Sequence, residues 1–219
     1  ARKIVISANV AGRDLRGVVN DMQKKINSEI KLPEGYHIEY GGQFESEQAA
    51  SRILLITSIF SIMVIFMLLF AQFRSVTQSA VILLNLPLAL IGGVFTIFLT
   101  DGVISIPAII GFISLFGIAT RNGMLLVSHY NTMLSEGNSL HDTILRGSLD
   151  RLNPILMTAL TSALALIPLA LGGDLPGNEI QSPMAKVILG GLLTSTFLNG
   201  FIIPIVYLMM HGKKKVTNE

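Results

Sequence analysis

Five long apolar runs divide this chain, at about residues 53–73, 80–100, 104–133, 154–171 and 187–210. Each approaches the roughly 20 residues that a helix needs to cross a hydrocarbon core about 30 Å thick. Backbone polar groups in lipid must find partners within the segment, so runs of this kind fold as helices. Composition agrees, with 51% of the 219 residues hydrophobic and 14% charged, more apolar and less charged than a soluble domain. The expected fold class is therefore mostly α and membrane-embedded, with five transmembrane helices. The net charge is only +2, and the basic residues gather at span ends. That pattern sets topology and is not a nucleic-acid footprint, so no nucleic-acid partner is expected. Cysteine is absent, which removes disulfides and thiolate metal ligands.

The segment before the first run has a different pattern. Ile4, Ile6, Ala8 and Val10 alternate as in a short strand over 3–10, and Leu15, Val18, Val19, Met22, Ile26 and Ile30 recur at helical spacing over 14–30. The Pro33-Glu34-Gly35 turn leads into a second short strand, 37–40. A β-α-β piece of this size cannot bury a core alone. With an opening ARKIVISANV and no initiator Met, the chain is expected to be the C-terminal part of a longer protein that supplies the rest of the sheet.

Loop charges give the orientation. Arg74 lies between the first two spans, Arg146 and Arg151 between the third and fourth, and Lys213 to Lys215 after the fifth. The alternate loops hold Asp101, Asp174 and Glu179, with Lys186 at the lip of the last span. The positive-inside rule makes the basic set cytoplasmic and residues 1 to about 50 external. The domains expected are 1–45 outside the membrane, 46–212 in the bundle and 213–219 as a basic cytoplasmic tail. Ser139 and Asp142 are spaced as a capping box before an amphipathic helix at about 139–151, expected on the membrane surface. Pro87, Pro107, Pro168 and Pro204 fall inside spans, where neighbouring helices or water satisfy the freed carbonyls.

Arg121 is the charge that stands out, well inside the third span. A charge at the bilayer centre costs from about 2.5 to over 10 kcal/mol, so it needs a partner, a water path or a function. At helical spacing it shares a face with Ser114, Gly117 and Ser128, a small and polar stripe expected to face protein, not lipid. The alternative is that Arg121 snorkels to the cytoplasmic headgroups. The other spans hold neutral polar residues: Asn85, then Thr158, Thr161 and Ser162, then Thr194, Ser195, Thr196 and Asn199. Gly191, Ser195 and Asn199 repeat every four residues, a pattern for close helix packing, and Asn199 is the best candidate for a further role.

Metal ligation has weak support in this segment. His37, His129, His141 and His211 show no paired ligand spacing. Met63 and Met67, four apart, would suit a soft-metal thioether pair, but such pairs in apolar helices usually pack. The Gly-Gly pairs at 41, 92, 172 and 190 do not continue into a phosphate loop, and no nucleophile sits beside a base. No cofactor is expected, and a charged residue in a helical bundle without these features points to ion-coupled transport.

Five motifs then occur in order: YGGQFE at 40–45, NLPLALIGG at 85–93, GFISLFGIATRNG at 111–123, RLNPILMTAL at 151–160 and GGLLTSTFLNGFIIPIVY at 190–207. Together they resemble the C-terminal end of the resistance-nodulation-division (RND) transporters, in the heavy-metal efflux branch. The resemblance implies a proton-driven exporter of metal cations in the inner membrane of a Gram-negative cell, working as a homotrimer with a periplasmic adaptor and an outer-membrane channel. The transported species would be the metal cation and protons, the five spans the last five of a twelve-helix bundle, and residues 1–45 the end of a periplasmic porter-type α+β subdomain. Arg121 and the adjacent Asn122 fall where multidrug relatives have Lys-Asn and the copper branch has Glu, a proton-relay position with acidic partners on another helix. Arginine does not give up a proton, so Arg121 is implied to be the fixed positive partner of a titrating carboxylate. The copper branch also has Lys where Ile155 stands and Met where Ile188 and Leu192 stand, which favours a divalent cation such as zinc, cobalt or nickel. The other readings are an RND pump for organic compounds and a non-transporting membrane assembly subunit.

Overall fold

The computed structural model describes residues 4–10, 15–33, 35–100, 102–173, 175, 177–178 and 180–216, apart from the side chains of 43 and 212–216. Among the described residues seven helices follow in order: α1 (Leu15–Glu29), α2 (Gln43–Phe73), α3 (Val76–Leu83), α4 (Asn85–Leu99), α5 (Ile106–Ser135), α6 (Leu140–Leu171) and α7 (Gln181–Val216). Five stretches are long and apolar enough to cross a membrane, namely Phe44–Phe73, Val76–Leu99, Ile106–Ser135, Leu140–Leu171 and Gln181–His211. The described residues fall into two units, dividing at Ile53.

In the first unit α1 forms where the apolar spacing predicts it. The two strands do not form: among the described residues, 4–10 and 37–40 have no regular secondary structure, so the expected β-α-β piece is corrected to a single helix, α1, with irregular flanks. A strand is stable only when its backbone groups pair with a neighbour. Ile4 and Ile6 are about nine-tenths exposed. Asp14, Glu34 and the loop acids Asp101, Asp174 and Glu179 lie outside the described residues.

In the second unit α7 is the hub, contacting α4, α5 and α6 along its length. The closest approach uses paired glycines. A Cβ on Gly92 would collide with Thr194 and the Gly190 carbonyl, and a Cβ on Gly190 with Thr96 and the Gly92 carbonyl. Backbone therefore meets backbone, as small residues allow in membranes. Thr96 turns its hydroxyl back to its own helix, donating to the Gly92 carbonyl at 2.9 Å.

Local breaks have local causes. Arg74 ends α2 in a left-handed conformation (φ 48°), and Ser75 caps α3 by accepting from the Gln78 amide. Between α3 and α4 the helix is interrupted at Leu84. Pro87 cannot donate to the Leu83 carbonyl, and its ring crowds it, so the turn before it opens. Ser105 and Ser139 cap α5 and α6 as N-cap serines should.

The amphipathic segment at 139–151 is not a separate surface helix. It is the first part of α6, which runs unbroken through Pro154 to Leu171. Gly147 lies against the ring of Tyr130, Tyr130 Oη and Ser148 Oγ are 2.5 Å apart, and Leu140 and Ile144 pack on the core around Tyr130 and Tyr207. Leu145 and Leu149, on the same apolar face, stay exposed. Packing on α5 buries more apolar surface than lying alone at an interface, and a proline removes one hydrogen bond without ending a helix that lipid would otherwise leave unsatisfied. The expected tail beginning at 213 likewise continues α7 to Val216.

Candidate functional site

Arg121 stands fifteen residues after Ile106 and fourteen before Ser135, at the middle of α5. That is about 20 Å from either helix end at 1.5 Å per residue. The distance exceeds what a snorkelling side chain spans when the helix is centred in the bilayer. Arg121 is exposed, and so are Ile110, Ser114, Gly117 and Leu125, while Ser128 is half-buried. These residues fall on one face of α5, and the five spans leave that face uncovered. Nothing lies within 4 Å of where a Gly117 Cβ would stand. Ser114 donates to the Ile110 carbonyl at 3.0 Å, so its hydroxyl is satisfied within the helix, and the Ser128 backbone carbonyl accepts from the Thr132 hydroxyl at 3.1 Å. Among the described residues no carboxylate lies within ion-pair distance of Arg121.

The opposite face of α5 is the inside of the unit. Ala119, Asn122, Gly123, Leu126, Val127 and Tyr130 are buried there. Asn122 is therefore next to Arg121 in sequence but turned inward, at 3% exposure. A Cβ on Gly123 would strike the side-chain nitrogen of Asn85. Asn199 is buried on α7 and not beside Arg121. Gly191 in the same repeat is held against Leu115 and the Ala89 carbonyl, and Ser195 is buried, donating to the Leu192 carbonyl at 3.2 Å.

The weak metal candidates are not drawn together. Met63 and Met67 are 52% and 65% exposed on α2, which suits a lipid-facing helix. Among the described residues no group of three or more His, Asp or Glu could hold a metal ion. His129 Nε2 lies 3.4 Å from Asp150 on α6, and His211 stacks on Tyr207. Ile188 and Leu192 are buried on α7, Ile188 in a cluster with Ala108 and Leu115 of α5.

Sequence reasoning missed a polar clasp near the C-terminal end of α5. Gln78 and Asn131 exchange two amide hydrogen bonds, at 3.1 and 3.0 Å, and Tyr207 Oη donates to Asn131 Oδ1 at 2.6 Å. One asparagine thus ties α3, α5 and α7, and the Tyr130–Ser148 contact adds α6. No sequence spacing relates Gln78, Asn131 and Tyr207. Their only signal is that amides near span ends need partners.

With the geometry in place, known proteins give a consistent comparison. The AcrB/AcrD/AcrF family matches residues 1–211. Protein HelA of Legionella pneumophila is 41% identical over 215 residues, covering 98% of this chain and 20% of that protein. The cobalt-zinc-cadmium resistance protein CzcA of Cupriavidus metallidurans is 38% identical over 218 residues, covering 100% of this chain and 20% of CzcA. A crystal structure of a heavy metal efflux pump superposes with a TM-score of 0.82 at 34% identity, over 93% of this chain and 20% of that one. The chain spans about one fifth of the length of the curated relatives it matches.

Proposed function

The chain belongs to the AcrB/AcrD/AcrF family of RND transporters, and from that premise we propose that it is a segment of a proton-coupled exporter of heavy-metal cations. The observation that carries this reading is Arg121, a fixed positive charge at mid-helix on an uncovered, small-residue face of α5. Such a charge in lipid calls for a counter-charge. An arginine supplies one permanently, because it stays protonated at every working pH. In this reading a carboxylate outside these five spans approaches the Ser114–Gly117–Arg121 stripe. It is held ionised by the guanidinium and released from it on protonation, so that one proton event breaks and remakes an ion pair between two helical bodies. Asn122, the other candidate at this position, is buried on the opposite side of α5.

The names of the relatives support metal cations as cargo. Ile188 and Leu192, buried aliphatic packing residues, offer no thioether for a soft monovalent ion, which favours divalent zinc, cobalt or nickel. The assembly proposed is a homotrimer in a bacterial inner membrane, joined to a periplasmic adaptor and an outer-membrane channel. Residues 1 to about 50 are then periplasmic and the C-terminus cytoplasmic, in line with the loop charges. No cofactor has a role in this scheme.

The test is metal resistance in cells carrying the full-length protein. Arg121→Ala is expected to abolish resistance to zinc, cobalt and nickel while leaving expression and trimer formation intact. Full resistance in that variant would leave Arg121 without a coupling role. Restoration of dye or antibiotic tolerance, but not metal tolerance, by the unmodified protein would replace metal cations with organic cargo.

A further inference from the structure

The inside face of α5 carries a second polar feature at the depth of Arg121. Asn85 is fully buried and Asn199 is 1% exposed, and all four of their side-chain amide atoms lack a hydrogen-bond partner in the protein. Thr120, 7% exposed, has an unpartnered hydroxyl, as does Thr196. These groups converge on one turn of α5. The Asn85 nitrogen lies over Gly123, where a side chain would displace it, and Ile203 Cδ1 is 3.4 Å from the same Cβ position. Asn199 precedes Ile203 by one turn of α7, and Thr120 precedes Gly123 by one turn of α5.

A single buried amide without a partner is unusual, and two amides and a hydroxyl at one helix junction are far outside what native structures tolerate. Burying such groups dry is most unfavourable in a membrane span, where lipid offers no alternative donor or acceptor. Water resolves this. A buried water makes about three hydrogen bonds and is held where two to four polar groups meet. Amides supply both donors and acceptors, which suits water; a monovalent cation would use only the oxygens and leave the two amide nitrogens unpaired.

We propose that Asn85, Asn199 and Thr120 form an internal water-binding site between α4, α5 and α7, at the Gly123 turn and on the opposite side of α5 from the Arg121 stripe. The site joins the three helices through water where direct side-chain bonds are lacking. It does not depend on the cargo or on coupling at Arg121.

The experiment uses the full-length protein in lipid nanodiscs. A cryo-electron-microscopy map that shows ordered solvent is expected to contain density within hydrogen-bond distance of both the Asn85 and Asn199 amides. A direct Asn85–Asn199 hydrogen bond with no density between them would overturn the site, and density present only in sodium-containing buffer would assign it to a cation instead. Melting gives an independent reading. Asn85→Leu and Asn199→Leu each strand the water and the remaining amide, so each lowers the unfolding midpoint, and the double variant falls by less than the sum of the two. Additive losses contradict shared water. If either leucine variant does not assemble, Asn199→Ser, which keeps a polar partner and leaves room for water, is expected to melt close to the unmodified protein. A loss with serine as large as that with Asn199→Ala would also overturn the proposal.

Discussion

At the scale of single residues, α5 presents two faces with opposite tolerance. Gly117 is on the uncovered face with nothing near its Cβ position, whereas Gly123 is wedged under Asn85. Gly123→Leu is therefore expected to destabilise the five-helix unit, by about 1–3 kcal/mol as for other overpacked interiors, read as a lower melting temperature of the full-length protein. Gly117→Leu should leave packing within these five spans unchanged. If the stripe meets another helical body of the full protein, the same change blocks that approach, and metal resistance is lost while expression persists. Resistance at the unmodified level with Gly117→Leu would show that the stripe faces lipid. The stripe itself was legible from sequence, because a 3.6-residue period fixes which residues share a face. Its direction was not, since periodicity does not say which face a bundle covers.

At the scale of elements, the helices form where hydropathy and caps predict, and the misreadings fall where a tertiary partner decides. The strands at 4–10 and 37–40 have the alternation of strands, but alternation is not a hydrogen-bond partner. The start of α6 looks like an interfacial helix, yet Gly147 allows it to lie on Tyr130. The clasp at Asn131 belongs to this scale as well. Asn131→Leu removes bonds to Gln78 and Tyr207 together, each worth about 0.5–1.5 kcal/mol, with a further penalty for the stranded Gln78 amide. Tyr207→Phe removes one of them. A double-mutant cycle on the melting of the full-length protein should give a coupling energy between the two substitutions of at least about 0.5 kcal/mol. Strict additivity would mean that Tyr207 holds α7 to α5 by ring packing on Tyr130 alone.

At the scale of the whole molecule, the proposed function puts each loop on one side of the membrane and calls for a counter-charge to Arg121. Because this segment has no cysteine, single cysteines can report its topology in a cysteine-free full-length background. Ser28→Cys on α1 should react with a membrane-impermeant maleimide added outside spheroplasts. Asn138→Cys, between α5 and α6, should react only after permeabilisation, and the reverse pattern would invert the orientation. Coupling is tested most directly by zinc-dependent proton flux in proteoliposomes holding the full-length protein, comparing Arg121→Ala with Arg121→Lys. The alanine variant is expected to show background flux at every imposed pH gradient, while lysine, which keeps the positive charge, retains measurable flux. Proton flux at the unmodified rate with alanine at position 121 would contradict coupling through Arg121.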